Sequence, residues 1–221
     1  MIEAFGAVLP VAVAVALSPI PIIAVVLVLL SPAGRPTGLA FLAGRVLGVA
    51  LIVVLVAAIS DLIERSDDAS PAVAVARVLV GVALVVLAGW KWRGRPRTDD
   101  DAALPGWMGA IEGSSPTGAA WLAFLLSVAN PKELLLGVGA GITIGAAGLP
   151  LAQTLTVAGA YTLLACASVA APVLAFVVAG DRMRDRLDEA RALLVRHNTA
   201  IMSVVLLVIG AVLIGGGLSG L

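Results

Sequence analysis

Lys132 and Glu133 stand side by side in a chain of which only 13% of the residues are charged. They fall about fifteen residues into a long apolar stretch, a depth that puts both near the middle of a bilayer. A charge there costs about 2.5 kcal/mol or more and marks function by default. Successive helical residues diverge by about 100°, so the two cannot pair face to face and each needs another partner. Arg45, about eight residues into an earlier apolar stretch, is the plausible deep cation for Glu133. Lys132 is then left to meet an anionic ligand or backbone carbonyls freed by a helix break. In the alternative arrangement Lys132 snorkels and Glu133 caps a half-helix. Ser18, Ser127 and Asn130 are the polar residues expected to line the same cavity, with Thr156 and Tyr161 better placed for bonds between helices.

That chemistry is binding rather than bond-making. No Ser/His/Asp set, HExxH motif or pair of buried carboxylates occurs, so no enzyme activity and no cofactor are expected. The single cysteine, Cys166, excludes an internal disulfide and a thiolate cluster. The lone histidine, His197, has no second His or Cys near it, so no metal site is expected.

These residues must be carried by membrane spans. The chain is 61% hydrophobic with a mean hydropathy of +1.10, far more apolar than a soluble domain. Six apolar stretches fall at about 4–30, 37–60, 71–92, 117–145, 150–179 and 199–218, long enough to cross a core of about 30 Å. The first starts with Glu3 and is too long for a cleavable signal peptide. The expected fold is an all-α membrane protein of six transmembrane helices.

Prolines interrupt two of the six. Ser18-Pro19-Ile20-Pro21 breaks the first, and Asn130-Pro131-Lys132-Glu133 breaks the fourth. Proline removes an N–H and displaces the carbonyl four residues earlier, here those of Val15, Leu17 and Ser127. A break of that kind must face protein or a wet cavity, although a simple kink is the plainer alternative. The two broken spans open two halves, 1–92 and 117–221, joined by an irregular linker at 93–116. Three spans per half force the halves into opposite orientations, which predicts two inverted three-helix repeats. The glycine or alanine runs at 44–48, 137–141, 145–148 and 215–217 are expected to permit close helix packing.

Basic residues set the orientation. Arg35, Lys91, Arg93, Arg95, Arg97, Arg182, Arg184, Arg186, Arg191 and Arg196 fall in the loops after spans one, three and five. The other side has only Arg65, among Asp61, Glu64, Asp67 and Asp68. Both termini are therefore expected outside the cytoplasm of a bacterial inner (plasma) membrane. Segment 181–197 places Met183, Leu187, Ala190 and Leu194 at helical spacing. It reads as an amphipathic helix on the anionic leaflet, or else as a solvated basic loop.

Pro19-Ile20-Pro21 in the first span and Asn130-Pro131-Lys132 in the fourth resemble the motifs of the lysine exporter (LysE) superfamily, although the first lacks that superfamily's central glycine. The phrase Leu17-Ser18-Pro19-Ile20-Pro21-Ile22, with Ser31-Pro32 and Gly38 to Gly48 behind it, is most similar to its actinobacterial GAP/Sap-like branch. The resemblance implies export of a lipid-linked or anionic envelope precursor, with Lys132 and Arg45 engaging the head group. Export of a small solute such as an amino acid is the competing function, and a non-transporting partner of a larger lipid exporter is another. Divalent-metal export would need converging carboxylates, and only Glu133 is available. The partners expected are membrane lipid, the substrate, and either a second copy of the chain or a larger envelope-lipid exporter, with no nucleic acid.

Overall fold

A computed structural model describes residues 1–64, 70–93 and 115–218. The side chains at 63–64, 70–73, 77, 91, 181, 190–202 and 217 fall outside that description. The linker expected at 93–116 and the acidic loop around Arg65 therefore lie almost wholly outside the described residues, as do Arg95 and Arg97 and the side chains of Arg77, Arg191, Arg196 and His197.

All regular structure among the described residues is helical, in the order α1 (Ile2–Ala16), α2 (Pro19–Leu30), α3 (Gly34–Glu64), α4 (Ser70–Arg93), α5 (Pro116–Val128), α6 (Pro131–Gly145), α7 (Leu151–Ala179) and α8 (Arg184–Leu218), with a 3-10 turn at Gly180–Met183 before α8. Residues 34–62 of α3 and the whole of α7 are long and apolar enough to cross a membrane. The α1–α2 pair is bent by 50° and the α5–α6 pair by 66°; counting each pair as one span brings the total to four. Shorter apolar stretches run over Ala74–Trp90 in α4 and Ser203–Gly216 in α8.

The breaks fall where the prolines require. Pro19 and Pro21 occupy the first and third positions of α2, and Pro131 opens α6. The first turn of a helix has N–H groups with no internal partner, so a proline there removes a donor that would otherwise be stranded in hydrocarbon. Asn130 caps α6 by accepting the amide of Lys132 at 3.2 Å, whereas Ser18, in the matching place before α2, makes no such bond.

Packing inverts the soluble pattern. Every residue of α2 from Ile23 to Leu29 is buried, as befits a helix that is apolar all round. Leu47, Leu51, Leu55, Leu79, Val86 and Leu163 point outward, an apolar exterior that water would penalise and lipid favours. Trp90, Trp92 and Trp121 are exposed near the ends of α4 and α5 that adjoin the linker, as in an interfacial aromatic belt.

The helix contacts match in pairs when the first four helices are exchanged for the last four. α3 lies on α5 as α7 lies on α1, α3 meets α6 as α7 meets α2, and α2 touches α8 as α6 touches α4. α1 meets α6 as α5 meets α2, more weakly, and α2 meets α3 as α6 meets α7, while α3–α7 and α4–α8 are their own counterparts; the lesser contacts α1–α8, α3–α4 and α5–α6 have no comparable counterpart.

Three expectations change. The stretch from Arg184 onward belongs to one long helix with the last apolar segment, and Leu187 is buried in a cluster with residues of α2 and α7. Its apolar side is thus occupied by protein at that point. At Gly215 and Gly216 a Cβ would have nothing within 4 Å of it, so these glycines do not mediate close packing. Thr156 is exposed and bonds back to the Ala152 carbonyl of its own helix at 2.7 Å rather than to a neighbour.

Candidate functional site

Close approach of α3 and α5 builds the site. A Cβ on Gly44 would collide with the backbone of Ala120, and one on Gly48 would lie 2.7 Å from the Cβ of Ser127. The two glycines, four apart, form one strip of α3 and bracket Arg45. On α6, Gly137 and Gly141 similarly admit Ile52 and Val56 of α3. With no side chain at these points, Arg45 reaches both segments of the broken α5–α6 pair.

Arg45 donates through Nη2 to Glu133 Oε2 at 2.7 Å and through Nη1 to Ser127 Oγ at 3.0 Å. Ser127 in turn donates to the Ala123 carbonyl at 3.0 Å. Arg45 is 1% exposed and Glu133 3%, so the pair is removed from both water and lipid. One guanidinium therefore clasps the end of α5 and the start of α6 across their bend. The partner for Glu133 that residue types and depth suggested is the partner it has.

Lys132, 2% exposed, reaches the other broken span, where its Nζ donates to the Ala14 carbonyl at 3.2 Å. The carbonyls expected to be freed were those of Val15 and Leu17. The acceptor is one residue earlier than the first of these because the Ser18 amide turns back to Val15 at 3.1 Å, tightening the last turn of α1. The ammonium thus stands at the negative end of α1, while Glu133 lies in the first turn of α6, and each charge complements a helix dipole. Lys132 joins the two breaks directly.

The other expected residues divide. Ser18, Pro19 and Pro21 are buried, but Pro131 is exposed and Asn130 half-buried. The second break therefore runs from the interior to the rim. Tyr161, fully buried on α7, was expected to bond between helices; instead its hydroxyl has no partner within the protein. Ser18 Oγ, Arg45 Nε and Glu133 Oε1 are likewise buried without a protein partner. A cavity of ≈ 10 Å³ between Val15, Val49, Ser127, Glu133 and Tyr161 is about the size of a single water. Its two orphaned oxygens, on Glu133 and Tyr161, give such a water polar contacts. Among the described residues no group of three metal-ligating side chains occurs.

In this conformation the cluster is sealed. It can neutralise and hold charge, and it links four helix segments, α3 to α5 and α6 through side chains and α6 to α1 through a side chain on a backbone carbonyl.

A second basic site lies at the end of the bundle and has only a faint signal in the sequence, an arginine shortly after a helix-ending glycine. Arg184 donates through Nη1 to the Leu30 carbonyl at 3.1 Å, closing the C-terminal end of α2 from 154 residues away. With Arg35 it lines a cavity of ≈ 440 Å³ bounded by Ser31–Pro36, Phe176 and Gly180.

The chain belongs to the SfLAP family, whose model, described as Sap, sulfolipid-1-addressing protein, matches residues 8–219. No curated protein and no solved structure matches it.

Proposed function

We propose that this membrane protein moves a lipid-linked or anionic cell-envelope precursor across the bacterial plasma membrane, through a site between two inverted three-helix repeats. The observation that carries the reading is the clasp at the two breaks, where Lys132 holds α6 to α1 and Arg45 holds α5 to α6. Buried charges that only fastened helices would be replaceable by apolar packing at little cost. Charges placed where both broken spans meet suit a carrier that must open and reseal. Family membership supports a lipid-related role. The matched helix contacts and the two bent pairs support six spans arranged as two inverted repeats. The motifs at both breaks support kinship with the LysE superfamily, and the chemistry is transport, not catalysis.

The orientation follows the same reading, with both termini outside the cytoplasm. Arg35 and Arg184 come from the loops after spans one and five, assigned to one side, and they line one cavity. Asp61 and Leu149, assigned to the other side, line another. Lys132 is then the cation that leaves Ala14 for the anionic head group when the breaks separate.

Transport of labelled lipid in proteoliposomes tests this. Lys132→Met should fold and insert yet lose transport, because it removes the charge without adding volume. Lys132→Arg should keep part of the activity, since the charge remains while its shape and hydration change. Wild-type transport by Lys132→Met, or its failure to accumulate, would show Lys132 to be structural. The sealed site also fits an accessory partner of a larger exporter. In that case transport would appear only when the exporter is present.

A further inference from the structure

We propose that the cavity between the α2–α3 connection and the α7–α8 junction is a binding site for the anionic head group of a membrane lipid, with Arg35 and Arg184 as its cationic walls. The inference rests on the lipid-related reading above but concerns a site separate from the midplane clasp.

Three observations converge there. First, ≈ 440 Å³ falls within the roughly 300–1,000 Å³ of small-molecule sites and exceeds what a bare oxyanion needs. Second, two arginines are among the residues that line it. The arginines come from connections far apart in sequence, so the fold has brought like charges to one cavity, an arrangement that an anion between them stabilises. Third, both are positioned by backbone. Arg184 is fixed on the Leu30 carbonyl. The Arg35 guanidinium lies against Gly180, whose φ of +59° suits glycine and where a Cβ would come within 3.2 Å of Arg35 Nη2. The α3 amino terminus opens at the same place with Gly34, adding the positive end of a long helix.

A lipid fits better than a free anion because the cavity lies at the end of a bundle whose flanks are apolar. Exposed Leu39 and Val178 stand within a few residues of Arg35 and Gly180, where acyl chains would continue from a head group. The planar guanidinium suits a sulfate or phosphate ester, which it can grip through two parallel bonds.

Native mass spectrometry of the full-length protein, with titration in detergent, tests the site. The probes are a sulfated glycolipid, phosphatidylglycerol, phosphatidylcholine and inorganic sulfate. The two anionic lipids should bind at least about tenfold more tightly than phosphatidylcholine. Arg35→Gln and Arg184→Gln should each weaken anionic-lipid binding several-fold, and Arg35→Lys should restore only part of it. Arg182→Gln, which changes an exposed arginine outside the lining, should leave binding unchanged. Equal loss in Arg182→Gln would mean a diffuse basic surface, and unchanged binding in both Arg35→Gln and Arg184→Gln would remove the site; either result overturns the proposal. Inorganic sulfate that binds as tightly as the lipids would overturn the lipid assignment. Because binding is read without transport, a protein that binds but does not transport leaves this site standing and removes only the carrier reading.

Discussion

Removing Arg45 takes from Glu133, which is 3% exposed, the guanidinium that its carboxylate pairs with. Breaking one side of a buried pair typically costs about 3–5 kcal/mol, whereas replacing both sides with apolar groups is often neutral. Arg45→Leu should therefore unfold at a markedly lower temperature in detergent, and Arg45→Leu with Glu133→Leu should recover much of the loss without recovering transport. Thermal unfolding followed by fluorescence would decide this, and a single variant as stable as wild type would show that the pair contributes nothing. The orphaned Glu133 Oε1 and Tyr161 hydroxyl make a second case. If one water joins them, Tyr161→Phe should cost no more than about 1–3 kcal/mol, the penalty of one group left unsatisfied.

At the scale of the helix, closeness is set by what is missing. Gly44→Ala puts a methyl into the backbone of Ala120, which cannot yield unless α5 moves as a whole. Overpacking of that kind costs about 1–3 kcal/mol, and here it also draws Ser127 away from Arg45. Gly89 has open space around it, so Gly89→Ala should be neutral or slightly stabilising through helix propensity. Equal unfolding temperatures for the two variants would refute this use of the α3 strip.

Those elements were legible in unequal degree. The expected span at 4–30 is the bent pair running from Ile2 to Leu30, and that at 117–145 is the pair from Pro116 to Gly145. Length, hydropathy and proline chemistry act locally, so a linear reading captures them. Arg45 and Glu133 were matched because so few charges can lie at that depth. The carbonyl that receives Lys132 depended on how the last turn of α1 tightens, a matter of one hydrogen bond. Segment 181–197 was read as a helix separate from the span at 199–218 because arginines lower hydropathy without lowering helix propensity; both lie in α8 from Arg184 on. The contact of Arg184 with Leu30 spans 154 residues, and no local pattern announces it.

For the molecule as a whole, the testable quantity is sidedness. The only cysteine, Cys166, is 2% exposed, so a reagent that cannot cross membranes meets a quiet background. Cysteine introduced at exposed Ala33 should be labelled only from the cytoplasmic side, and cysteine at exposed Gln153 only from outside. The reverse pattern would invert the topology, and labelling of both from one side would dissolve the paired halves. A reporter that functions only outside the cytoplasm, fused after Leu221, should be active by the same argument.

The Arg45–Glu133 bond closes across 88 residues, and that separation is also an interval of time. At about 5–20 residues per second, a ribosome delivers Glu133 some 4–18 s after Arg45. Throughout that wait the first half holds a deep cation whose counter-charge does not yet exist, a burden that lipid alone bears poorly. α2 is in the same position. At 12 residues it is about 18 Å long, short by itself of a core of about 30 Å, and the arginine that closes its end is made 154 residues later. The first helices are thus expected to reach their final packing only when their later partners have been made, and slowing synthesis between Arg45 and Glu133 should send more of the newly made chain to membrane proteases.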